Sequence, residues 1–106
     1  METYVILTKL SAEAFHDPGD FPAIARQVSA KLKADCPQVA WKGSYALLGR
    51  FDVLDIFEAQ NRQEAERAAM IIRAYGHATT ETMAATPWKQ FMDSLQQQKQ
   101  REAVRV

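Results

Sequence analysis

Three carboxylates lie in the most apolar part of the sequence, and their positions make them the first candidates for chemistry. Asp52, Asp55 and Glu58 fall within SYALLGRFDVLDIFEA, residues 44–59, which otherwise reads as two apolar runs separated by a glycine. Asp55 lies in the middle of the second run, where a buried carboxyl group could move a proton or bind a polar ligand atom. Asp52 is expected to bond local backbone in the hairpin turn. Glu58 is expected to form an ion pair with Lys9.

Two histidines and a fourth carboxylate complete the titratable candidates. Histidine is the natural base for proton transfer near neutral pH. His77 follows the expected end of a helix, at the start of a strand, whereas His16 lies in an expected loop. Glu81 belongs to the strand HATTETMA, and it either faces the same site or points into solvent.

The spacing of these residues predicts neither a metal site nor a cofactor site. The histidines are far apart in the sequence, and no cysteine or pair of carboxylates stands close to either of them. The single cysteine, Cys36, excludes an internal disulfide and is interpreted as a small buried filler. The chain also lacks a glycine-rich phosphate loop and a nucleophile elbow. We therefore expect no metal and no cofactor.

The composition excludes several classes of protein. The chain has 106 residues, which suits one domain, and its 13 basic and 13 acidic residues give a net charge of +0. This balance lacks the positive excess typical of a nucleic-acid binder, so we expect no nucleic-acid partner. No apolar run approaches the ~20 residues needed to cross a bilayer, and the first residues do not resemble a secretion signal. A cytoplasmic protein without a membrane partner is expected.

The apolar periodicity predicts four strands and three helices. Residues 1–95 are expected to form one domain that includes a terminal helix over residues 87–95, followed by a polar tail over residues 96–106. Asp20 and Asn61 are expected to cap the first two helices, and Gly76 to end the second one in a left-handed conformation. The strands are expected over residues 3–10, 39–48, 52–59 and 77–84, with a loop over residues 11–20 and helices over residues 21–35, 62–76 and 87–95.

This order of elements predicts a ferredoxin-like α+β fold. Strand, helix, strand, strand, helix, strand is the split βαβ arrangement, with a four-stranded antiparallel sheet and here an additional C-terminal helix. Right-handed crossovers would place the first and third strands in the middle of the sheet and the second and fourth at its edges. Both main helices would then cover the same face.

Both faces of the expected sheet are apolar, so one of them requires a further cover. We assign Val5, Leu7, Leu54 and Ile56 to the helix side, because a charged Asp55 would be costly in a helix–sheet core without a partner. The other face would be covered by the terminal helix, by a second subunit, or by both. If the turn pairs Leu48 with Val53, a ligand site on this open face, with His77 at its rim, would comprise Tyr4, Ile6, Thr8, Ser44, Asp55, Phe57, His77 and Glu81.

The hairpin YALLGRFDVLDIFEA, together with TYVILTKL, the helix that ends at Tyr75-Gly76 and the segment HATTETM, resembles the GYD domain family over residues 3–84. Phe51 stands where the family usually has its tyrosine, and Arg50 separates it from Gly49, so a role for that phenol hydroxyl does not carry over. The resemblance implies a ferredoxin-like fold of the dimeric α+β-barrel type. It implies no defined biochemical role.

Three functions are compatible with these patterns, and each involves a second copy of the chain as partner, in a dimer or a larger assembly. The first is a binding or regulatory module that holds a small, largely apolar molecule between sheets. The second is a small cofactor-free isomerase or oxygenase in which Asp55 or His77 moves a proton. The third is a purely structural subunit. An open cavity that contains Asp55 would favour the first two functions over the third.

Overall fold

The structure of the chain, a computed structural model, describes residues 1–13 and 15–105. Ala14 and Val106, which belong to the expected loop and the expected tail, lie outside the described residues. The predicted strands and helices all form. In chain order they are β1 (Glu2–Leu10), α1 (Phe21–Asp35), β2 (Ala40–Ala46), β3 (Val53–Ala59), α2 (Arg62–Gly76), β4 (Ala78–Ala85) and α3 (Trp88–Arg105), with a short 3-10 turn at Pro18–Asp20.

The four strands form one antiparallel sheet in the order β2-β3-β1-β4. The first and third strands are therefore central, as the right-handed crossover rule predicts. Helix α2 packs across β1, β3 and β4, and α1 packs against α2. The α+β fold of ferredoxin-like type is confirmed.

The core occupies the sheet face that we had expected to remain open. Side chains of β1 and β3 on this face pack against α2, so the assignment of Val5, Leu7, Leu54 and Ile56 to the helix side is wrong. Those four side chains are half-buried on the opposite face. The expectation failed because Asp55 has polar partners on the helix side, where Ser44 and Trp41 donate hydrogen bonds to its carboxyl group. The core cluster consists of Tyr4, Ile6, Phe57, Ala59, Ala65, Ala69 and Ile72.

The ends of α2 show how the local sequence sets its boundaries. Asn61 caps the helix as expected, because its Oδ1 accepts a hydrogen bond from the backbone N–H of Glu64 at 3.0 Å. At the other end, His77 and not Gly76 takes the left-handed conformation, with φ 51° and ψ 54°. Gly76 is instead buried against α1, where an added Cβ would lie 3.5 Å from Val28 Cγ2. Gly76 therefore lies at the contact between the two helices.

Helix α1 begins at a weaker cap and stands away from the sheet. Asp20 occupies the N-cap position, but its side chain makes no capping hydrogen bond, while Asp17 accepts one from Gly19 N–H at 2.9 Å in the preceding turn. The backbone of α1 approaches α2 and that turn, but it approaches no strand of the described chain. No side chain of α1 is fully buried, although Val28 and Leu32 pack at the margin of the core. A space therefore remains between α1 and the sheet.

Helix α3 projects from the rest of the molecule. It continues to Arg105, past Leu95, where we expected a frayed tail to begin. Within the described residues it packs against no other helix or strand, and the molecule measures 64 × 30 × 17 Å. The radius of gyration is 17.5 Å, against about 13 Å for a compact chain of similar length. None of the helices in the described part of the chain combines the length and apolar character needed to cross a membrane.

Candidate functional site

A cavity of about 740 Å³ fills the space between α1 and the sheet. Its walls are mostly apolar, and α1 contributes to them one apolar stripe at helical spacing, formed by Phe21, Ile24, Ala25, Val28 and Leu32. The polar groups of the sheet wall come from β1, β2 and β3, namely Thr8, Ser44 and Asp55. A largely apolar cavity of this size with a few convergent polar groups is typical of a small-molecule site.

Asp55 is the centre of the polar wall. It is 8% exposed. The Ser44 hydroxyl donates a hydrogen bond to Asp55 Oδ1. The indole N–H of Trp41 is shared between Ser44 Oγ at 3.0 Å and the same Oδ1 atom at 3.3 Å. These donors satisfy one carboxyl oxygen and leave Oδ2 without a hydrogen bond from any described residue.

The register of the β2–β3 hairpin brings these three side chains together. Ser44 lies directly opposite Asp55, because the turn pairs Ala46 with Val53. The expected pairing of Leu48 with Val53 is therefore wrong. The difference is two residues, so each side chain keeps its face while its partner changes. The loop is two residues longer than expected, because the strands separate after the pair of Ala46 and Val53. A hydrogen bond from Leu47 N–H to Asp52 O, at 2.8 Å, closes the hairpin at this point.

A β-bulge adds Trp41 to the site. Trp41 and Ser44 are three residues apart, so strict alternation would place them on opposite faces of the sheet. The register shifts between Trp41 and Gly43, and this shift puts Trp41 opposite Phe57 on the cavity side. Sequence reasoning missed Trp41 as a site residue. The available signal was Gly43, since an isolated glycine within a strand pattern often marks a bulge.

A row of aromatic rings extends from the cavity into the core. Trp41 stacks on Phe57 with ring centroids 5.0 Å apart, and Phe57 stacks on Tyr4 at 5.7 Å. The Tyr4 hydroxyl donates a hydrogen bond to Glu2, and this bond raises the pKa of Tyr4 above its ordinary value. Tyr4, Ile6 and Phe57 belong to the core under α2 and do not line the cavity. The core contacts the cavity wall through Phe57, on which the Trp41 ring stacks.

Thr8 contributes a polar atom that no described residue satisfies. The residue is 3% exposed and lines the cavity. Its Oγ1 is buried and has no hydrogen-bond partner in the described chain. Because buried hydroxyl groups are nearly always hydrogen-bonded, an orphan of this kind at a cavity wall indicates a missing partner.

Two of the expected site residues, His77 and Glu81, lie away from Asp55. His77 lines a second cavity, of about 780 Å³, together with Lys9, Glu13 and Arg73. Glu81 is exposed and pairs with Leu7, so it faces the side of the sheet opposite the helices. The structure therefore assembles Thr8, Ser44 and Asp55 in one cavity and separates His77 and Glu81 from them.

The other two hairpin carboxylates have structural partners that differ from those expected. Asp52 accepts a hydrogen bond from the backbone N–H of Leu10 at 2.7 Å, so it ties the hairpin to the end of β1 and does not cap its own turn. Glu58 forms an ion pair with Lys42 at 3.3 Å. The expected partner, Lys9, lies at the other end of an antiparallel pair of strands and donates to Arg50 O.

Metal binding and thiol chemistry find little support at the cavity. Residues 1–13 and 15–105 contain no group of three or more histidine, cysteine, aspartate or glutamate side chains arranged to hold a metal ion. Cys36 lines the cavity and is buried, as expected for a filler. Burial raises the pKa of its thiol, which disfavours the reactive thiolate.

Two solved structures share this fold. One is the crystal structure of the Mycobacterium tuberculosis leucine response regulatory protein, with a TM-score of 0.58 and 12% identity over 81% of this chain and 51% of that one. The other is the crystal structure of a transcriptional regulator, with a TM-score of 0.57 and 13% identity over 82% of this chain and 51% of that one. The chain thus spans about half the length of both regulators.

Sequence comparison identifies the family. No curated protein matches the chain significantly. The family model described as GYD domain matches residues 4–95, which include most of β1, all of the other three strands, α1, α2 and the first part of α3. The chain therefore belongs to the GYD domain family.

Proposed function

We propose that this protein binds a small, largely apolar molecule in the cavity between α1 and the sheet. The observation that carries the proposal is the position of α1, whose apolar stripe lines an open cavity and whose backbone approaches no strand of the described chain. A ligand that covers the apolar surface of this cavity is bound more favourably by roughly 25 cal/mol for each Å² that it removes from water. The polar groups on the sheet wall would then orient the ligand.

The proposed site differs in place from the one expected from the sequence. We expected a pocket on the sheet face away from the helices, between the sheets of two chains. The cavity instead lies within one chain, on the helix side, and it contains Thr8, Ser44 and Asp55. A ligand that bridges the sheet and α1 would bias the position of this helix. Such coupling supports a regulatory role, as does the likeness to two regulators.

Binding fits the geometry better than proton transfer does. The isomerase or oxygenase alternative requires a base that can reach a substrate, and His77 lines the second cavity and not the one with Asp55. Asp55 Oδ1 already accepts two hydrogen bonds. The hairpin therefore fixes the polar contacts of this site, and the histidine that was considered as a base lies outside it.

A matched pair of variants on α1 tests the cavity as a binding site. Ala25 lines the cavity, whereas Ala23, also exposed on α1, does not. The neutral probe N-phenyl-1-naphthylamine becomes fluorescent in apolar sites and can be titrated into both variants. We expect Ala25→Phe to weaken probe binding at least tenfold, because the new ring fills the cavity, and Ala23→Phe to leave it unchanged. Equal binding by the two variants would refute the proposal.

A second candidate function, assembly with copies of the same chain, has its own supporting observation. Trp88 is 72% exposed and shares an unpacked face of α3 with Phe91 and Leu95. The expected second subunit was to cover a sheet face that carries Tyr4, Ile6 and Phe57, and that reason fails because these three side chains belong to the core. The α3 face now supports the proposal, together with the half-buried side chains of Val5, Leu7, Leu54 and Ile56 on the sheet face opposite the helices.

Sedimentation equilibrium at micromolar concentration tests this assembly. We expect the full chain to form at least a dimer, and a chain that ends at Ala85 to shift toward the monomer. The truncation should leave the fold of the remaining residues intact, because α3 packs against none of their helices or strands. A full-length monomer near 12.0 kDa would contradict the proposal.

A further inference from the structure

We propose that the ligand of the cavity is an apolar molecule that carries a protonated amino group, and that Asp55 binds this group. The inference rests on the proposed function, since it requires the cavity to be a binding site. It goes further by naming the chemistry of the ligand. Three features of the polar wall carry it: the hydrogen bonds still to be made, the charge of the wall, and the spacing of its free polar atoms.

The hydrogen bonds already present define which atoms remain for a ligand. The Ser44 hydroxyl uses its proton on Asp55 Oδ1, and its oxygen accepts from the Trp41 indole. Asp55 Oδ2 receives no hydrogen bond from the described residues, and Thr8 Oγ1 is buried without a partner there. Both of these oxygens can accept a hydrogen bond. A ligand that satisfies them must therefore carry several N–H or O–H donors.

The charge of the wall favours an ammonium group over a neutral donor. Asp55 forms no ion pair with a described residue, although it is 8% exposed. A buried carboxylate is costly without a positively charged partner. The cavity lining includes one basic residue, Lys33, whose side chain is exposed on α1. The indole ring of Trp41 adds a surface that attracts cations.

The spacing of Asp55 and Thr8 suits one ammonium group. Asp55 lies opposite Ile6 on the neighbouring strand, and Thr8 is the next residue of β1 on the same face. Diagonal neighbours of this kind have Cα or Cβ atoms roughly 7–8 Å apart, so a group between the two side chains can reach both oxygens. An ammonium has three N–H donors and can bond Asp55 Oδ2 and Thr8 Oγ1 together.

Three compounds that differ in one terminal group test the ligand class. These are 2-phenylethylamine, 2-phenylethanol and phenylacetate, which carry a positive, a neutral and a negative end on the same ring and a chain of similar length. The Trp88→Phe variant leaves Trp41, at the cavity wall, as the sole tryptophan, so its fluorescence reports occupancy. We expect the amine to bind at least tenfold more tightly than the alcohol, and phenylacetate to bind most weakly.

Further substitutions in this background connect the preference to the residues. Asp55→Asn should remove the preference of the site for the amine over the alcohol. Thr8→Val, which keeps the shape of the side chain and removes its oxygen, should weaken amine binding several-fold. Glu58→Gln is the matched control, because Glu58 lies on β3 but on the opposite face and pairs with Lys42. This control should leave all three affinities unchanged.

The outcomes separate failure of the ligand class from failure of the site. Equal affinities for the three compounds, tighter binding of phenylacetate, or binding of the naphthylamine probe with none of the three compounds would overturn the ligand class and leave the cavity as a site. Probe binding that Ala25→Phe does not weaken would overturn the proposed function itself. The comparison of compounds needs no substitution at Asp55, so it decides the matter even if Asp55→Asn does not fold.

Discussion

Two isoleucines on adjacent strands allow the same substitution to be made on the two faces of the sheet. Ile6 is 0% exposed and belongs to the core under α2, whereas Ile56 is half-buried on the opposite face. Replacing a fully buried isoleucine by alanine costs about 2–5 kcal/mol, because a cavity remains. We expect Ile6→Ala to lower the free energy of unfolding by about 3 kcal/mol. Ile56→Ala should lower it by about 1 kcal/mol, since only part of a transfer energy of roughly 1.5–3 kcal/mol is lost.

Urea-induced unfolding followed by circular dichroism measures this difference. A domain of this size has a total stability of about 5–15 kcal/mol, so a loss of about 3 kcal/mol is well resolved. The melting temperature should fall by roughly 12–24 °C for Ile6→Ala and by roughly 4–8 °C for Ile56→Ala. The slope of the unfolding free energy against urea concentration should be the same in both variants, because they expose similar surface on unfolding.

Protein concentration provides the control for self-association. If copies of the chain associate through the sheet face opposite the helices, the loss of unfolding free energy in Ile56→Ala will vary with protein concentration. The loss in Ile6→Ala will not. Should Ile6→Ala be too unstable to fold, Ile6→Val and Ile56→Val repeat the comparison, with an expected loss of about 1 kcal/mol for the first and less for the second. Equal losses, or a larger loss for Ile56 at every concentration, would refute the assignment of the core face.

Three further substitutions test local features of the fold. Asn61→Ala should lower the free energy of unfolding by about 1 kcal/mol in thermal denaturation, since the N–H of Glu64 loses its cap; no change would show that this cap is unimportant. His77→Gly should raise it by up to about 1 kcal/mol, because glycine adopts φ 51° without steric cost; a loss would indicate an unseen contact of the imidazole. Burial raises the pKa of Cys36, so the native state holds the thiol proton longer than the unfolded chain does. The stability of the wild type should therefore fall relative to Cys36→Ala as the pH rises above the ordinary thiol value of 9.0, and parallel pH profiles would contradict this.

The elements and their order could be predicted from the sequence because they depend on local signals. β-Branched and aromatic residues at 3–10 favour a strand wherever it is placed, and Asn61 caps a helix through an atom three residues away. The order of the elements, combined with the right-handed crossover rule, was then enough to predict the positions of the strands in the sheet. The family resemblance agreed with this topology and is confirmed by the match over residues 4–95.

The covered face of the sheet could not be predicted, because alternation along β1 and β3 leaves both faces apolar. Asp55 was the deciding residue in our expectation, and the cost of burying a carboxyl group depends on its partners. Those partners are Ser44 and Trp41, and a bulge at Gly43 and a two-residue difference in hairpin register bring them to Asp55. Register and bulges depend on contacts across strands, which residue types alone do not specify.

By itself the sequence determined which side chains share a face on α1 and on the regular strands β1 and β3. Only the tertiary structure decided what those faces meet. Helix α1 packs against α2, and its backbone approaches no strand of the described chain, so the α1 stripe lines a cavity in place of a filled core. Periodicity reports the direction in which a side chain points. The distance to the next layer depends on how whole elements pack, and that distance separates a ligand site from a core.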